Sequence, residues 1–98
     1  MNVESTPEFN DWLSLLDEFT RSRVQDRLDR IREHSHFGDK KYLGGHLFEL
    51  RWRDGRRVYY TLVKEPNTDA ALILLGGTKH GQNRDIAQAR QILVREAS

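Results

Sequence analysis

The sequence predicts an α+β fold, and three observations carry that expectation. Residues 47–62 alternate, with Phe48, Leu50, Trp52, Val58, Tyr60 and Leu62 apolar and Glu49, Arg51, Arg53, Arg57, Tyr59 and Thr61 polar or amphipathic, the period of two of half-buried strands. Two stripes at helical spacing precede this stretch: Phe9, Trp12, Leu13 and Leu16, then Val24, Leu28 and Ile31. A continuously apolar run, 70–75, follows it and leads into a third helical pattern.

Taken in order, Asn2, Val3 and Glu4 suit a short strand at a sheet edge. Thr6-Pro7-Glu8 starts a helix, with Thr6 as cap, proline at the first position and an acid at the positive end of the dipole. Thr20 is the expected cap of a second helix, which forms an antiparallel hairpin with the first and lids the apolar face of the sheet. His34 to Asp39 ends the helical pattern; His34, His36 and His46 match no familiar metal-ligand spacing, so no metal or other cofactor is expected. Gly44-Gly45 marks a turn into the central hairpin.

The alternation also sets the hairpin register. A two-residue Asp54-Gly55 loop would mix the faces. A three-residue loop, Arg53-Asp54-Gly55, with glycine in the left-handed conformation, keeps them sorted and sets Phe48 opposite Tyr60, Glu49 opposite Tyr59, Leu50 opposite Val58 and Arg51 opposite Arg57. Two like charges across a ladder repel by roughly 0.8 kcal/mol at about 5 Å in water, and more where solvent is reduced. The pair is therefore a natural receptor for phosphate oxygens, on a face expected to be exposed and basic. After a turn at 65–69, residues 70–75 read as an interior strand covered on both faces, ended by Gly76-Gly77. Residues 78–82 leave the sheet, and the last helix begins near Asn83 with Ile86, Ala89 and Leu93 on one side.

Ninety-eight residues fit a single domain, 1–98. The absence of cysteine excludes a disulfide framework and a thiol nucleophile. No apolar run reaches the length of a membrane span, and the N-terminus lacks signal-peptide character, so a cytoplasmic protein with no membrane partner is expected. The formal net charge is +1, but its distribution is uneven. Five basic residues oppose nine acidic ones over 1–39, a net of −4, and seven oppose two over 40–64, a net of +5. That asymmetry is the footprint of a polyanion binder, or of a dock for an acidic protein segment.

The order of motifs then becomes informative: Phe9-x-x-Trp12-Leu13, Gly38-Asp39-x-Lys41-x-Leu43-Gly44, Phe48-Glu49-Leu50-Arg51, Arg57-Val58-Tyr59-Tyr60, Leu75-Gly76-Gly77-x-Lys79 and Gln82-x-x-Asp85-Ile86-x-x-Ala89. In this order and spacing the chain resembles the phage-derived, HigB-like addiction module killer branch of the RelE/ParE toxin superfamily, from about Phe9 to Leu93. The resemblance implies a RelE-like fold: short N-terminal strand, two-helix hairpin, antiparallel three-stranded meander and C-terminal helix. It also implies the toxin of a type II toxin–antitoxin system, a ribosome-dependent mRNA endonuclease that inhibits translation, with a helix-turn-helix, HigA-like antitoxin as cognate partner and the ribosome and mRNA as targets.

Carried over by motif, Arg51, Arg57 and Lys79 become the phosphate-handling and catalytic set, with His80 and Gln82 as adjacent candidates. Attack of a ribose 2′-hydroxyl on its phosphate needs one proton removed, one donated and charge stabilised on the phosphoryl oxygens. The arginines suit the last task, and Lys79 or His80 the proton transfers. Lys41, Arg53, Arg56, Gln82 and Arg84 are the expected RNA-binding residues, and Tyr59, on the same face, is expected to stack on a base. The superfamily also holds ParE-like inhibitors that poison DNA gyrase through protein contacts, and a non-catalytic RNA- or protein-binding relative is a third possibility.

Overall fold

The computed structural model describes residues 1–97. Thr6 makes the first turn of the chain. Its hydroxyl accepts from the Phe9 N–H (3.1 Å) and donates to the Leu74 carbonyl (2.7 Å), so one buried side chain caps α1 (Pro7–Ser14) and ties it to the sheet. Before it, β1 (Asn2–Ser5) forms the expected edge strand. The cap of α2 (Glu18–His34) is Asp17, not Thr20: the Thr20 N–H donates to the Asp17 carboxylate (2.7 Å), which a negative charge at the helix N-terminus favours.

Four further strands follow: β2 (Lys40–Gly44), β3 (Leu47–Arg51), β4 (Arg56–Val63) and β5 (Ala70–Thr78). A 3₁₀ turn, Lys79–Gly81, leads into α3 (Gln82–Ala97). The sheet order is β1-β5-β4-β3-β2, with β1 parallel to β5 and the other pairs antiparallel. The β3–β4 register is the one the alternation predicts, with Arg51 opposite Arg57, and Gly55 at the loop has φ +96°. The meander has a fourth strand, β2. Its residues lack alternation because it is an exposed edge, so the sequence pattern gave no sign of it.

Gly76-Gly77 does not end β5. A bulge between Tyr59 and Tyr60, opposite the 73–75 segment, turns both Leu74 and Leu75 to one face and reverses the alternation beyond them. Gly76 then meets α1 and Gly77 meets α3. A Cβ at Gly76 would fall inside the Trp12 ring, and one at Gly77 would collide with the Asp85 carboxylate.

Two apolar layers result. On one face Phe9, Val24, Leu28 and Ile31 of the helix pair pack on Leu50, Val58, Tyr60, Ala71 and Ile73. On the other, Ala89 and Ile92 of α3 cover Leu47, Tyr59, Leu74 and Leu75. The face expected to be basic and exposed is therefore largely roofed by a helix. Among the described residues no helix is long and apolar enough to cross a membrane.

Candidate functional site

The polar end of the roofed face is organised by Glu49. Its carboxylate is buried, with Oε1 3.5 Å from Arg51 Nε and 3.8 Å from Arg57 Nε, while Oε2 accepts from Gln82 Nε2 at 3.1 Å. One acid thus stands between the two guanidiniums whose repulsion the register creates, and the cluster keeps a single net positive charge. Lys41 lies next to Glu49 in the β2–β3 ladder and is exposed.

The two arginines are not equivalent. Arg51 keeps 39% of its side chain exposed and Arg57 only 9%. Arg57 is also held by its own hairpin, Nη1 donating to the Arg56 (3.0 Å) and Trp52 (3.4 Å) carbonyls. Tyr59 corrects an expectation outright. It is fully buried beneath α3, so neither face of its ring is free to stack on a base. Burial, followed by the nearby Glu49 and Asp85, pushes its hydroxyl up to about 12.

Lys79 and His80 stand exposed on the 3₁₀ turn. The turn is fixed to the hairpin loop: the Lys79 N–H donates to the Gly55 carbonyl at 2.7 Å, and the lysine stem lies against Gly55. Together with Trp12, Gly77, Gln82 and Asp85 they line a cleft of about 930 Å³. Gln82 belongs both to this cleft and to the Glu49 cluster, and so joins the two. Arg53 is exposed in the hairpin loop, and Arg56 is engaged by Asp54 (2.6 Å). Arg84 points to solvent beside Asp85.

Sequence reasoning missed three residues. Glu49 was legible as part of the Phe48-Glu49-Leu50-Arg51 motif but not as the hub. Asp85 was visible as an acid in a first helical turn, without any sign that a glycine would receive it. Arg27 donates to the carbonyls of Phe37 (3.1 Å), Arg51 (2.5 Å) and Asp39 (2.5 Å) and lies 4.4 Å over the Trp52 ring, which fixes the backbone beside Arg51. Burial lowers the proton affinity of its guanidinium, with Asp39 opposing. No three His, Asp or Glu side chains among the described residues are grouped as metal ligands.

No protein-family model matches the chain. An uncharacterised protein of Haemophilus influenzae is 32% identical to it over 91 residues, spanning 92% of this chain and 90% of that one. The chain belongs to the same family as that protein. Solved structures identify its fold. A YoeB/ParE toxin from Agrobacterium tumefaciens superposes with a TM-score of 0.65 at 13% identity, covering 80% of this chain and 98% of the toxin. A chain of the intact Escherichia coli RelBE toxin–antitoxin complex gives 0.65 at 15% identity, covering 79% and 94%. One from the Methanococcus jannaschii RelB–RelE complex gives 0.63 at 10% identity, covering 83% and 95%. The fold is thus that of the RelE/ParE/YoeB toxins, and in this chain Lys79, His80 and Gln82 sit where β5 hands over to α3.

Proposed function

We propose that this chain is the single-domain, cytoplasmic toxin of a type II toxin–antitoxin pair, of the HigB-like kind, and that it cleaves messenger RNA on the ribosome without a metal ion. The fold shared with structures solved as toxin–antitoxin complexes supports the first half. One observation carries the second: Glu49 gathers Arg51, Arg57 and Gln82, and Gln82 also lines the cleft that presents Lys79 and His80. Arg51 is the exposed guanidinium and takes the phosphate oxygens. Arg57, nearly buried, holds Glu49 in place and adds its charge from behind. Lys79 adds a cation from the cleft, and His80 beside it supplies an imidazole for proton transfer. A helix-turn-helix, HigA-like antitoxin is the partner that would neutralise it.

The burial of Arg57 and Tyr59 favours a second reading, in which the cluster is structural and the chain acts as a ParE-like, gyrase-binding toxin or as a non-catalytic RNA or protein binder. Purified protein added to translating ribosomes separates the two. The nuclease cuts mRNA, and Arg51→Ala lowers turnover by about 100-fold or more at saturating substrate. Arrested growth with intact mRNA and trapped gyrase complexes would instead establish the second reading.

A further inference from the structure

Asp85 lies in the first turn of α3 with 12% of its side chain exposed, at the floor of the Lys79–His80 cleft. Its Oδ2 fills the space that a Cβ at Gly77 would need, and stands 3.2 Å from where one at Gly81 would lie. Two residues without side chains thus make room for one carboxylate. Among the described residues no donor gives that carboxylate a hydrogen bond, and its ion-pair partner is Arg84, 3.9 Å away on a side chain 84% exposed. Buried carboxylates are ordinarily paired, and Glu49 has one hydrogen bond from Gln82 and two ion pairs with arginines, although its Oε1 accepts no hydrogen bond. A spacer of the same size, such as asparagine, would fill this position without the cost of a buried charge. An underused carboxylate facing a polar cleft is what a proton acceptor requires.

We propose that Asp85 is the general base of the RNA cleavage, an inference that rests on the nuclease reading. Its carboxylate takes the proton from the 2′-hydroxyl, and that oxygen forms a bond to the adjacent phosphorus. The bond from phosphorus to the 5′ oxygen breaks, and the departing oxygen takes a proton from the His80 imidazolium. A 2′,3′-cyclic phosphate and a 5′-hydroxyl result. Arg84 from its own helix is the charged group acting on Asp85, Lys79 and His80 from the 3₁₀ turn line the same cleft, and from the sheet Tyr59 feels its charge while Arg57 pairs with Gly77. Burial outweighs Arg84 and raises its proton affinity above the usual aspartate range.

The test uses the full chain and ribosomes programmed with a defined mRNA, comparing wild type with Asp85→Asn and Asp85→Ser. Both variants should lower kcat by about 100-fold or more while half-saturation stays within about twofold of wild type. The fall of wild-type kcat toward acid pH should disappear in Asp85→Asn, and its Tm should match or exceed wild type. A kcat within about threefold of wild type in Asp85→Asn overturns the assignment, as does raised half-saturation with kcat kept. Loss of both Tm and kcat in the two variants overturns it as well, by marking the carboxylate as structural. If wild type itself leaves the mRNA intact, the nuclease reading fails and takes this inference with it.

Discussion

Glu49 is the residue on which the charged cluster turns. Its carboxylate is the only acid the described structure sets between Arg51 and Arg57, so removing the charge leaves Arg57 nearly buried without a counter-ion. Breaking a buried pair by deleting one partner is costly even where the intact pair is near neutral in free energy, because the remaining charge has lost its solvent and its partner alike. Glu49→Gln keeps the volume and is expected to destabilise the protein by about 3 kcal/mol in urea or thermal unfolding. Arg51→Gln should cost far less, since that guanidinium is already partly in water. Equal losses for the two substitutions would contradict the hub role of Glu49.

At the scale of elements, β5 owes its placement to the absence of side chains near its end. Gly76 receives the Trp12 ring from α1 and Gly77 the Asp85 carboxylate from α3, so the strand is clasped on both faces where it meets the cleft. Gly76→Ala is expected to cost about 2 kcal/mol through overpacking, and the loss should be less than additive with Trp12→Ala, which vacates the space; a double-mutant cycle of unfolding free energies measures this. Strict additivity would mean that the two residues do not interact. The same segment shows why legibility differed along the chain. The hairpin register was readable because Phe48, Leu50, Val58 and Tyr60 alternate cleanly with polar neighbours, and period-two patterning admits one sorted pairing. The run 70–75 is apolar throughout, so it carried no sign of the bulge or of which face each glycine would meet. Tyr59 departs from its expected exposure for a related reason: alternation assigns it to the Arg51 face, but whether α3 roofs that face is a tertiary fact that no local period encodes.

Across the whole molecule, the helix pair and α3 cover opposite faces of one sheet, and an ion pair links the two layers. Arg95 near the end of α3 donates to both carboxylate oxygens of Glu8 at the start of α1, at 2.5 and 3.0 Å. That hydrogen-bonded guanidinium, with backbone hydrogen bonding at the helix start, holds the Glu8 carboxyl below the usual glutamate range. A group whose folded-state pKa is depressed contributes stability above its unfolded value and loses it as pH falls through the folded one. Wild type should therefore have a higher Tm than Glu8→Gln at pH 7, and the gap should close as acidification protonates Glu8. Half of the Arg95 side chain is exposed, so the gap should also narrow at high salt, and the pair should behave as a modest tether between layers whose main cohesion is apolar. A Tm difference that persists unchanged at low pH and in high salt would assign the effect of the substitution to packing of the Glu8 stem rather than to the ion pair between the layers.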